Sequence, residues 1–178
     1  MILKTKLLGK VYEFPSVREV MAKANEEKSG DRLAGIGAEN AEERVAAKVV
    51  LSQLTLGDLR EHPAVPYEED EVTRIIQDDL NESIYGEIRN WTVSELREWL
   101  LDEGTDSAAI RRISRGLTSE MIAAVAKLMS NLDLVYAAKK ITVTAHCHTT
   151  IGLPGTLSCR LQPNHPTDDP DGILASLL

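Results

Sequence analysis

Apolar residues recur at helical spacing along most of the first 140 positions, and polar caps mark where the helices start. Ser16 and Glu19 read as a capping box ahead of the stripe Val17, Val20, Met21 and Ala24, with Gly30 as the stop. Asn40 with Glu43 opens a second helix carrying Val45 and Val49, and Thr55 with Asp58 opens a short third one that Pro63 ends. After "PYEEDE" the spacing places Val72, Ile75, Ile76 and Leu80 on one helix face, and the early acids suit the positive end of the helix dipole. Thr92 and Glu95 form a further box before Leu96, Trp99 and Leu100, up to Gly104. "SEMIAAVAKLMSNLDLVYAAKK", with Ile122, Val125, Ala126 and Met129, is apolar almost all round and is predicted to be one buried helix at the centre of the core.

At residue 141 the period shortens to that of a strand. "ITVTAH" sets Ile141, Val143 and Ala145 against Thr142, Thr144 and His146, the pattern of a half-buried strand. "TTIGLPGT" then reads as a loop around Gly152, Pro154 and Gly155. A second strand follows, with Leu157, Cys159 and Leu161 on one face and Ser158, Arg160 and Gln162 on the other, ended by Pro163. No internal repeat is visible. The predicted organisation is a helical domain over 1–150 and a different unit over 151–178, where charged helix gives way to a Gly/Pro loop.

Composition narrows the function. The chain has 178 residues, 43% of them hydrophobic and only 4% aromatic, with a net charge of -8. That length supports a real core filled by Leu, Ile, Val and Ala, and the charge argues against nucleic acid or an anionic membrane as the main partner. "MILKTKLLGK" has neither the apolar run nor the cleavage site of a signal peptide, which points to a cytoplasmic protein. Two cysteines are too few for a disulfide framework, and without secretion the sequons at Asn81 and Asn90 carry no meaning.

The small polar constellations are mostly explained without function. His146 and His148 flank Cys147, and H-x-H on a strand puts two imidazoles on one face. No further acid or histidine stands at ligand spacing, so no metal site is assigned. "DDPDG" opens like a calcium loop but lacks the closing bidentate acid. "GLPGTLS" lacks the lysine of a phosphate loop. His62 and His165 stand alone beside prolines, and no catalytic group is assigned. Arg160 and Gln162 are harder to set aside, since a guanidinium and an amide pointing the same way offer several donors and one acceptor for a small polar molecule.

Beyond these patterns, "LAGIGAENAEERVAAKVVLSQLTLGDLREHP", "VTRIIQDDLNE", "NWTVSELREWLLDE", "GLTSEMIAAVAKLMSNLDLVYAAKK" and "TTIGLPGTLSCRLQPN" resemble, in order, the N-terminal part of the large, catalytic subunit of ethanolamine ammonia-lyases. The resemblance implies a carbon-nitrogen lyase that uses adenosylcobalamin to convert ethanolamine to acetaldehyde and ammonia by a radical mechanism. It also implies a mainly α domain followed by the first β-strand of a truncated (β/α)8 TIM barrel. It matches Arg160 and Gln162 to the substrate site, Arg160 on the hydroxyl and Gln162 on the amine. The implied partners are a small subunit and further large subunits, in the cytoplasm or a bacterial microcompartment. Which residues hold the cofactor is not given by the sequence.

A (β/α)8 barrel takes about 250 residues, and after Pro154 only residues 155–178 remain. One strand and part of a helix cannot close, so the 178 residues alone are expected to be inactive, whether as an N-terminal piece or as the product of a shortened gene. A non-catalytic helical interaction or assembly domain is the alternative. The strand face and the final "ILASLL", left uncovered, are expected to promote association.

Overall fold

In the computed structural model the described residues are 2–28, 30–141, 143–146, 150–152 and 155, and they are mainly helical. They fall into two units divided after Ile141.

The first unit opens on a hairpin. β1 (Leu3–Leu7) pairs antiparallel with β2 (Lys10–Phe14), Leu7 opposite Lys10, so Leu8 and Gly9 alone make the turn. Both have positive φ, +49° and +83°, the mirror-image turn that matches the twist of a two-stranded ribbon. The lysines of β1 face solvent while Leu3 and Leu7 pack on the core. The helical reading of the chain missed this hairpin, because its alternation lasts only five residues and its turn lacks the usual Asn-Gly.

The predicted caps are in place. Ser16 caps α1 (Val17–Lys23) by accepting from the Glu19 amide, and Asn40 caps α3 (Ala41–Gln53) through the Glu43 amide. Between them lies α2 (Asp31–Ala34). Full capping boxes open α4 (Leu56–Glu61) at Thr55 and α7 (Val93–Leu101) at Thr92. Asp70 caps α5 (Glu71–Asp78) and Asn81 caps α6 (Glu82–Ile88). Asp106 caps α8 (Ser107–Ile113), which runs into a single 3-10 turn at Ser114–Gly116. Thr118 caps α9 (Ser119–Leu128) and Ser130 caps α10 (Asn131–Lys140).

Several expectations are corrected. α1 ends at Ala24, whose amide bonds the Val20 carbonyl, well before Gly30. α3 buries Ala46, Ala47, Val50 and Leu51, leaving Val45 47% exposed. Small alanines let α3 approach its neighbours closely, so they and not the β-branched Val45 face inward. The stripe on α5 faces water, with Val72 61% and Ile75 60% exposed; only Leu80, just past the helix, is buried. The long apolar segment 119–140 is two helices: Met129 leaves the helical region and Ser130 starts again with Asp133 as its capping-box partner. α9 buries Met121, Ala124 and Val125 and exposes Ile122, whereas α10 buries only Ala137 and leaves Leu132 77% exposed.

The core lies around α3, which packs against α1, β1, α7 and α9. Phe14, Val20, Leu51, Leu56, Leu59, Ile88, Leu96 and Met121 are fully buried there, and Trp91 and Trp99 cover it with rings 5.7 Å apart and tilted by 58°. The starts of α4 and α7 are locked side by side by an antiparallel bridge between Thr55 and Thr92. The Leu56 amide donates to the Trp91 carbonyl at 2.9 Å, and the Val93 amide to the Leu54 carbonyl at 2.9 Å.

In the second unit, β3 (Ala145–His146) pairs antiparallel with β4 (Thr150–Ile151). The half-buried strand expected over 141–146 is corrected at both ends: Ile141 is the C-cap of α10, and Val143, Ala145 and His146 are exposed. Thr150 and Ile151, read as loop, supply the pairing partner.

Candidate functional site

Arg160 and Gln162 lie outside the described residues, as do the whole predicted strand 157–162, Cys147, His148, Cys159 and the acidic segment 168–172. The described approach to that strand is the β3–β4 ribbon and its glycines. The His146 ring Nδ1 sits 3.0 Å from the Thr150 hydroxyl across the ribbon. That bond orients the imidazole, and among the described residues no group of three or more His, Cys, Asp or Glu side chains gathers. Gly152, at φ +97°, passes so close to Val143 that a Cβ would lie 1.9 Å from its carbonyl oxygen. No larger residue fits, so the chain turns here only because this position is glycine.

In the first unit two clusters of charged side chains are committed to one another. The Arg60 guanidinium on α4 donates to both Glu82 carboxylate oxygens, at 2.9 and 2.5 Å, and lies 4.4 Å over the Tyr85 ring on α6. Glu82 holds the Arg60 pKa above its ordinary value, and Arg60 in turn pulls the Glu82 carboxyl down. Both Arg60 and its neighbour His62 line a cleft of about 400 Å³ with Arg18, Tyr67 and Gln77. His62 Nδ1 lies 3.1 Å from the Asp58 carbonyl, which can only accept, so Nδ1 carries the proton. The Tyr67 hydroxyl donates to Asp78 at 3.0 Å, and that bond raises its pKa. A second cluster ties α7 to α10, where Arg97 donates to Asp133 at 2.8 Å and to Glu98 at 2.6 Å. Arg97 is the main cause of the lowered Asp133 pKa.

These clusters clamp helices together. Among the described residues none places a nucleophile against a base in the way covalent or acid-base catalysis requires. The reading of the sequence missed both clusters, because Arg60 and Glu82, or Arg97 and Asp133, stand far apart in the chain and no local spacing marks them.

The described residues also do not fit a corrin ring. A cleft of about 770 Å³, open to solvent, is lined by Ile75, Ile76, Leu80, Arg115, Leu117 and Ile122 among others. Its lining holds no imidazole that could serve as an axial ligand.

The comparisons with known proteins place the chain in a family. The family model described as ethanolamine ammonia lyase large subunit (EutB) matches residues 12–178. The ethanolamine ammonia-lyase large subunits of Salmonella typhimurium and Escherichia coli K12 are each 55% identical over 99% of this chain. The chain spans 39% of the length of those relatives. With a family match over nearly every residue, the chain belongs to the ethanolamine ammonia-lyase large subunit family and corresponds to its N-terminal part.

Proposed function

We propose that this chain is the helical N-terminal domain, residues 1–150, and the opening of the barrel, residues 151–178, of a subunit that deaminates ethanolamine to acetaldehyde and ammonia. The observation that carries the reading is the 55% identity across 99% of the chain. In this proposal the strand at 157–162 is the first of a (β/α)8 barrel. Its polar face turns to the substrate, with Arg160 on the hydroxyl and Gln162 on the amine. Active sites of such barrels sit at the C-terminal ends of the strands, where Gln162 falls. Adenosylcobalamin supplies the radical chemistry, with its main contacts in the rest of the full-length subunit, while the protein contributes orientation and exclusion of side reactions. The partners are the small subunit and further large subunits, in the cytoplasm or within a bacterial microcompartment. Large apolar side chains left uncovered on α5 and α10 support an assembly role for the helical domain. No helix among the described residues is long and apolar enough to cross a membrane.

Arg160→Ala in the full-length subunit tests the site assignment. Losing a hydrogen bond to a charged donor costs roughly 1.5–3 kcal/mol, so kcat/KM should fall about ten- to a hundredfold while a cobalamin titration is unchanged. Arg160→Lys should recover part of the loss by keeping the charge without the planar fork. Near-normal kcat/KM in Arg160→Ala would remove this arginine from the substrate site.

A further inference from the structure

Lys127, near the end of α9, differs from the other described lysines in what surrounds its amine. Lys10, Lys23 and Lys48 each face a carboxylate, of Glu42, Glu43 and Glu26 respectively. Lys140 donates to the carbonyls of Leu100 and Asp102. Lys4, Lys6, Lys28 and Lys139 are exposed. Lys127 is half-buried, and its amine donates to the neutral side-chain carbonyl of Asn25, just past α1. The charges that bear on it are those of Lys28 and of Lys48 on α3; the nearby acids are engaged elsewhere, Glu26 with Lys48 and Arg44, Glu27 with Arg44. Burial first, then the two like charges, lower the Lys127 pKa.

Desolvation beside other cations is the setting in which a lysine amine becomes a nucleophile towards carbonyl compounds. The Asn25 carbonyl fixes the direction of one N–H without holding the extra proton as a carboxylate would, leaving the nitrogen lone pair free to point away from it. We propose that Lys127 is a covalent modification site, the amine of this domain that takes small aldehydes as an imine. The lone pair of the neutral amine forms a bond to the carbonyl carbon while the C=O pair moves to oxygen. Nitrogen gives up its two protons, the oxygen leaves as water, and no oxidant or reductant takes part.

Reductive trapping decides it. The purified chain is treated at neutral pH with limiting propionaldehyde and cyanoborohydride, and initial labelling at each lysine is read by peptide mass spectrometry. Lys127 should label severalfold faster than Lys4, Lys6 and Lys139; labelling at or below their rate overturns the proposal. Asn25→Asp puts a carboxylate beside the amine and should bring Lys127 down to the rate of the exposed lysines, with the thermal melt confirming an intact fold. Lys48→Gln, which removes one of the like charges, should slow labelling as well. If Lys127 labels equally fast in both variants, its surroundings are not the cause and the assignment fails.

Discussion

Leu8 occupies the left-handed region at φ +49° while its side chain is 77% exposed. An L-residue there costs about 1–2 kcal/mol, and almost no buried area offsets it. Leu8→Asn should therefore stabilise the hairpin by about 1 kcal/mol, seen as a higher urea midpoint; an unchanged midpoint would mean the turn relaxes freely. Two glycines give the opposite pair of outcomes. A Cβ on Gly116 would stand 2.8 Å from the Tyr85 amide nitrogen, and backbone cannot move aside as a flexible side chain would, so Gly116→Ala should cost about 1–3 kcal/mol. Gly86, inside α6 with nothing within 4 Å of its Cβ position, should gain about 0.5–1 kcal/mol on becoming alanine. Denaturant titrations of both variants check the contrast. At this scale the sequence announces glycines without saying which are crowded, since Tyr85 and Gly116 meet only after the chain has folded.

For the elements, what the sequence made legible was the caps. Ser16, Asn40, Thr55 and Thr92 sit where an oxygen-bearing side chain precedes an apolar stripe, and each bonds the amide three residues on. α6 and α8 escaped because Asn81 lies in a sequon and Asp106 has no acid three residues later. The break between α9 and α10 escaped because the apolar pattern runs through it unbroken. That break leaves α10 weakly held: it buries only Ala137 and relies on Ser130, on the Arg97–Asp133 pair and on Lys140. Ser130→Ala should remove about 0.5–2 kcal/mol of local stability. Hydrogen exchange should then quicken at residues 131–136 and stay slow in α3; uniform acceleration would show that α10 unfolds only with the whole unit. Which face of a helix turns inward was also hard to read on α5, whose stripe suggested burial and met water, because amphipathicity gives a direction without naming a partner.

At the scale of the whole molecule, the largest fully buried side chains among the described residues lie between Phe14 and Met121, and the first unit's core is drawn from its own residues. A chain shortened to residues 1–141 should keep its helical circular dichroism and a single cooperative melt; loss of cooperativity would show that the first unit needs more than its own core. Acid should weaken this unit. Glu82 beside Arg60, Asp133 beside Arg97, Glu26 beside Lys48, and Glu95 and Asp70 at helix starts all have pKa values held below normal. Depressed folded values mean that the unfolded chain binds more protons, so their contribution is complete above the ordinary carboxylate range of about pH 4–5 and is lost as pH falls through the lower folded values. Urea midpoints should be flat down to about pH 5 and drop below it; a rise below that point would contradict the assignment. The mainly helical first unit could be read from local patterns, whereas Arg160 and Gln162 rest on resemblance, because no local spacing assigns a substrate to them and they lie outside the described residues.

The bridge between Thr55 and Thr92 brings the two ends of the segment α4 to α6 together, so the exposed stretch between α4 and α5 starts and ends within a segment whose ends are already fixed. Lengthening the exposed stretch after α4, around residues 65–69, need not displace α7, because the backbone bonds of the Thr55–Thr92 bridge, and not the length of the excursion, set where α7 begins. The entropic cost of a longer excursion grows only logarithmically. Evolution can therefore insert or delete residues there at little expense to the fold, and length variation among homologues is expected to concentrate in this stretch and to be rare within the bridge itself.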